Sequence, residues 1–199
     1  MKMSFVTFAF LGLFLVGSEI SEAAGNNLAS DSRLILNQFS GQIQAEKSDL
    51  LLESAQSENP QAQWEIGKLF LSIFTYNPPT EKTEQARRIG NKWIRKAAKG
   101  GCPYAMLDLG LLENGIAELP EQQAQEMIKK GVNILLEKKE KNALDAFYLS
   151  KCYGIGAGVE QDIEQACSWR QIALEKMGLS QTDIQQAMLR WKKILQKSS

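Results

Sequence analysis

The sequence predicts an all-α fold, an alpha-alpha superhelix made as a short solenoid of helical hairpins, and three observations predict it. Apolar residues recur at helical spacing almost throughout, and no convincing run of period two interrupts them. Chain breakers at Asn59-Pro60, Pro78-Pro79, Gly100-Gly101 with Pro103, Leu119-Pro120 and from Gly154 to Gly158 leave helix-length segments between them. Those segments echo one another in register, which is how a repeat array shows itself in sequence.

The first residues carry a cation at Lys2, an apolar run from Phe5 to Gly17 and a polar stretch ending Ser21-Glu22-Ala23. That order is the one of a secretory signal peptide (1–23), with cleavage expected after Ala23. The run is well short of the roughly 20 residues that cross a bilayer. No cysteine follows it to take a lipid, so the mature chain from Ala24 is expected in the periplasm or outside the cell, with no membrane attachment. Residues 24–58 are expected to form N-terminal capping helices, with Leu50, Ser54 and Ala55 at the end of a degenerate hairpin. Three repeats follow over 59–178, divided at about 59–101, 102–141 and 142–178, and a C-terminal capping helix closes 179–199. No low-complexity linker divides the mature chain, so one structural unit is expected.

Within the first repeat, Asn59 reads as an N-cap with Pro60 in the first turn, where its missing N–H costs nothing. Ala62 is followed four, five and eight residues on by Ile66, Gly67 and Phe70, and Ala105, Leu109 and Gly110 repeat the first three of these. The third copy keeps Leu149 and Tyr153 but has Asp145 and Ser150 in the alanine and glycine places. On the second helices Trp93 and Ala97 match Trp169 and Ala173, with Ala124, Met127 and Gly131 a weaker version between them. Antiparallel helices approach closely only where alanine or glycine lines the seam, and the aromatic fills the gap beside it. Trp169 shares a helix face with Ala166 and Ala173, so it is expected to be buried as Trp93 is. Between the helices of the third hairpin Tyr153, Gly154, Gly156 and Gly158 shape a turn, and Asp162 with Gln165 has the form of a capping-box variant.

The chain contains no histidine, which removes a Ser-His-Asp triad, a Cys-His pair and every imidazole metal site. There is no Ser-x-x-Lys motif either. No catalytic residue, cofactor or metal is therefore expected. The glycine-rich turn lacks the preceding strand and the Lys-Ser/Thr of a nucleotide loop, and Asp162 puts negative charge where a phosphate would sit. With Lys2, Glu19 and Glu22 removed, 23 basic and 23 acidic residues become 22 and 21, a balance that gives no field for nucleic acid. Arg88, Lys92, Arg95 and Lys99 form a basic stripe, which reads either as a solvated face or as a dock for an acidic partner. Cys102, Cys152 and Cys167 allow at most one intrachain bridge. A Cys152–Cys167 disulfide fits two antiparallel helices, and so does a pair of small buried apolar residues.

These residues resemble the Sel-one-like repeat family, relatives of the tetratricopeptide repeats. The family pattern is alanine, Leu-Gly four on, tyrosine, a Gly-x-Gly-Val loop, aspartate, then alanine, tryptophan and Ala-Ala on the second helix. Residues 146–178 match it best, and Asn59 to Ala105 match it around an enlarged loop. The middle copy lacks both aromatic anchors and has Glu113 in the tyrosine place. The resemblance implies a right-handed solenoid whose concave surface holds another protein or peptide. By analogy with the tetratricopeptide repeats, the groove positions would be Trp64, Lys68 and Leu71 with Gln61, then Tyr104, Leu107 and Leu111 with Asn114, then Phe147 and Lys151 with Leu144. Such a groove suits an apolar segment carrying an acidic group. The competing reading packs Leu107, Leu111 and Phe147 between repeats. The function implied is an exported adaptor; the alternatives are an immunity protein that neutralises a secreted toxin and, third, a beta-lactam-binding or hydrolysing enzyme.

Overall fold

The computed structural model describes residues 28–39, 45–111 and 119–197, and every regular element in them is an α-helix. In order these are α1 (Leu28–Gln38), α2 (Ala45–Gln56), α3 (Pro60–Tyr76), α4 (Glu81–Lys99), α5 (Pro103–Gly110), α6 (Glu121–Glu137), α7 (Ala143–Ile155), α8 (Ile163–Lys176) and α9 (Gln181–Lys197). The leader expected over 1–23, and Glu113 and Asn114, lie outside the described residues. The chain divides into two compact units between Pro120 and Glu121. The single unit expected from sequence is thereby corrected. The middle repeat, expected over 102–141, is split as well: α5 belongs to the first unit and α6 to the second. Its first helix has only eight residues, little more than two turns, and its side chains engage α3 and α4.

In the first unit side-chain caps start α3 and α4, the first of them at the expected Asn59. Asn59 Oδ1 accepts the backbone N–H of Gln61 and Ala62 at 3.0 and 3.1 Å. Thr80 Oγ1 accepts the Thr83 N–H at 3.2 Å while Thr83 Oγ1 accepts the Thr80 N–H at 2.8 Å, a full capping box for α4. The two helices then run antiparallel with their backbones in contact. A Cβ built on Gly90 would lie 2.9 Å from the Gly67 carbonyl oxygen, and one on Gly67 would lie 2.8 Å from Ile94 Cδ1. Ile66, Phe70 and Trp93 form a core with Ile35 of α1 and Leu52 of α2. Buried polar groups bind the layers together: the Trp93 indole N–H donates to Ser32 Oγ at 2.9 Å, and Gln63 Nε2 donates to the Ala55 carbonyl at 3.1 Å.

The second unit begins with a start signal for α7. Asn142 Oδ1 accepts the Asp145 N–H, Asp145 Oδ2 accepts the Asn142 N–H, both at 2.8 Å, and Lys138 Nζ reaches Asp145 Oδ1 at 2.6 Å. Asp145 thus departs from the repeat pattern because it caps a helix. Ser150, in the glycine place, is buried with its hydroxyl donating to the Phe147 carbonyl at 2.7 Å. Gly156 ends α7 in the left-handed region at φ +70, and Gly158 follows at φ +73. A Cβ on Gly158 would lie 3.0 Å from Ile128 Cγ2, so the turn rests on α6. Asp162 Oδ1 accepts the Gln165 N–H at 2.9 Å; its own N–H donates to the Tyr153 carbonyl, also at 2.9 Å, so the cap is one-sided.

Ala146, Ala166 and Ala173 are fully buried between α7 and α8, and α9 returns so that Leu195 meets Gly154. One expectation is corrected here, and one open alternative is resolved in the structure. Trp169 is half-buried rather than enclosed, because Trp93 has α1 over it through Ser32 whereas Trp169 has the Lys141 ammonium, 5.8 Å from its ring centroid. No disulfide joins Cys152 and Cys167: Cys152 is buried, and Cys167, next to the seam residue Ala166 and about 100° round the helix from it, is half-buried.

Replacing Trp93 by alanine is expected to lower stability by about 3–5 kcal/mol in urea unfolding. Trp169→Ala should cost clearly less, and equal losses would contradict the difference in burial. Gly158→Ala should be more destabilising than Gly178→Ala. Both pay the roughly 1–2 kcal/mol of a left-handed L-residue, but only Gly158 also meets a neighbour. Thermal midpoints of the two variants in the opposite order would count against the packing of the turn on α6.

Candidate protein-interaction site

The residues expected to line a groove divide by unit. In the first, Trp64, Leu71, Tyr104 and Leu107 are all buried. The Trp64 and Tyr104 rings meet at 5.1 Å between centroids, tilted by 42°. The Trp64 indole N–H donates to Asp108 Oδ2 at 2.9 Å, and Lys68 Nζ lies 3.2 Å from the same oxygen. Asp108 is 0% exposed, and a carboxylate so enclosed must be paired or neutralised. Lys68 is therefore the counter-charge of a buried acid, and Trp64 one of its hydrogen-bond donors. The expectation that these positions form an open surface is corrected: Trp64 and Lys68 of α3 meet Tyr104 and Asp108 of α5, and Leu71 packs on Gly90 of α4. Leu111, the C-cap of α5, is half-buried. Asp108 itself was missed, although an aspartate inside the apolar run Met106-Leu107-Asp108-Leu109 is a visible anomaly.

The second unit leaves more open. Phe147 and Lys151, one turn apart on α7, are both half-buried. Arg170 of α8 packs its guanidinium over the Phe147 ring, with Cζ 4.4 Å from the centroid, and over Trp191 of α9 at 4.1 Å. Lys151 Nζ stands 5.9 Å from the centroids of both Phe147 and Tyr148. Three helices thus bring two cations and a set of aromatic faces to one place, the geometry of cation–π attraction. Burial lowers the Arg170 pKa to about 10, below the ordinary guanidinium range, which keeps the group charged at neutral pH while removing part of its hydration. Among the described residues Arg170 makes no hydrogen bond or ion pair, and the buried Trp191 indole N–H has no acceptor. The sequence reading named Phe147 and Lys151 as groove positions and named neither Arg170 nor Trp191. A single arginine at a helical position reads as surface until its ring partners are known.

Two other features are placed by the structure. A cavity of about 530 Å³ beside the glycine turn is lined by Tyr153, Val159, Glu160, Gln161, Asp162 and Gln165. Its two carboxylates repel phosphate. On α4, Arg88, Lys92 and Lys99 are exposed and Arg95 is half-buried.

The fold defines an all-α helical-repeat protein, in which the hairpins α3–α4 and α7–α8 each close over small residues. No family model and no curated protein matches the chain. Among solved structures it is similar to a Sel1 repeat protein from Oxalobacter formigenes, at 21% identity over 71% of this chain and 96% of that one, with a TM-score of 0.38.

Asp108→Ala is expected to cost about 3–5 kcal/mol, since it removes the counter-charge of a buried ammonium and the acceptor of a buried indole N–H. Lys68→Met combined with Asp108→Asn removes both charges and keeps an acceptor for Trp64, so it should lie much closer to the parent in urea unfolding. An unchanged midpoint for Asp108→Ala would show that the pair does not hold α5 to α3.

Proposed function

We propose that this protein is an exported helical-repeat adaptor that holds another protein against its helices. The observation that carries the reading is the half-buried stack of Phe147, Arg170 and Trp191 with Lys151 beside it. Arginine and large aromatics dominate the energetics of protein interfaces, because they bring much contact area and strong directional donors at low entropic cost. The supporting grounds for export are the cation, apolar run and Ser21-Glu22-Ala23 boundary at the start of the chain.

Two experiments test the reading. Fusing the first thirty or so residues to a reporter active only after export should give activity, and an inactive fusion would remove the export half. A periplasmic pull-down with the chain from Ala24 should retain a defined protein that is released when Phe147 and Trp191 are both replaced by alanine in a folded variant. Retention unchanged by that double replacement would place the interaction elsewhere.

A further inference from the structure

We infer that Arg170 is the receptor for a carboxylate of the bound protein, an aspartate or glutamate side chain with an apolar residue next to it. This rests on reading the chain as a protein-binding scaffold and adds the chemistry of what is bound.

The guanidinium touches two π-faces, at 4.4 and 4.1 Å, and such contacts leave the in-plane N–H donors unused. Those donors form a fork that fits a planar carboxylate in two parallel hydrogen bonds. The chain supplies no such acceptor among its described residues. No Asp or Glu stands three or four residues from Phe147, Arg170 or Trp191 along their helices, the positions that share a face with them. Of the acids further along, Asp145 is engaged with Lys138 and the Asn142 amide, Glu175 with Gln171 and Asp183 with Ser180, while Glu164 stands exposed in the first turn of α8, six residues before Arg170. Asp108 shows how this protein treats a buried charge, giving it both a counter-ion and a donor. Arg170 is the contrasting case, a desolvated cation with a second cation, Lys151, on the same Phe147 ring.

A ligand carboxylate would supply the missing charge, and the buried Trp191 indole N–H, whose ring Arg170 covers, sits close enough to sense its arrival. The two half-buried rings offer apolar surface for the residue beside the acid.

The test uses isotope-labelled protein from Ala24 and follows the Trp191 indole N–H resonance, identified by its loss in Trp191→Phe. The probes are N-acetyl-Leu-Glu-Leu-amide, its Leu-Gln-Leu counterpart and inorganic phosphate. The Glu peptide is expected to shift the resonance saturably and to bind about tenfold or more tighter than the Gln peptide. Arg170→Gln, checked for an unchanged melting curve, should erase that difference. Equal binding of the two peptides to the parent protein, no saturable shift up to millimolar Glu peptide, or an equal response to phosphate would each overturn the proposal without any need for a variant. A partner captured equally by parent and Arg170→Gln would sink this site and leave the adaptor reading standing. Glu-selective binding with no captured partner would do the reverse.

Discussion

At Gly67 and Gly90 the backbones of α3 and α4 touch, with less room between them than a single methyl group needs. The first unit depends on that approach. It sets the separation at which Ile66 and Phe70 of α3 reach Trp93 of α4, and it holds Trp93 where α1 can cover it and Ser32 can take its N–H. In the second unit the same task falls to Ala146, Ala166 and Ala173, with Gly154 giving room to Leu195 of α9. Burial of apolar surface stabilises both hairpins, but small residues decide how close the helices stand, and so which larger side chains can meet.

Two charged clusters follow from this packing and behave in opposite ways. Asp108 is enclosed between α3 and α5, and the same packing that buries it also delivers Lys68 and Trp64 to its oxygen. Pairing offsets a desolvation cost of several kcal/mol, so the cluster is structural. Arg170 is delivered by α8 to aromatic rings from α7 and α9, which attract a cation yet accept none of its hydrogen bonds. Arg170 thus keeps its hydrogen-bond donors unused, whereas Asp108 has both a counter-charge and a donor.

Helix starts were legible in the sequence because their chemistry is local. Asn59 with Pro60 and Asp162 with Gln165 act within one turn, and the structure places each where its spacing indicates. The seam residues were legible through their repetition, although Gly90, the partner of Gly67, carried no matching signal. What escaped was everything that depends on a third element. Helical periodicity marks Trp64 and Leu71 as one apolar face of α3 but does not say what covers it, and Trp93 and Trp169 look equivalent until α1 is laid over one of them. Phe147 and Lys151 share a face of α7 by spacing alone, whereas Arg170 and Trp191, which pack with Phe147, come from helices that local pattern does not connect.

Equilibrium urea unfolding of Gly90→Ala tests the seam most directly, because two effects of opposite sign compete at one residue. Alanine favours an interior helical position over glycine by about 1 kcal/mol. Against this, its Cβ would sit 2.9 Å from a backbone oxygen that no side-chain rotation can move. The close-contact account predicts a lower unfolding midpoint with an unchanged slope, the steric cost exceeding the gain in helix propensity. A variant more stable than the parent by the propensity difference would contradict it, since α3 and α4 would then have room to spare where the structure has them touching.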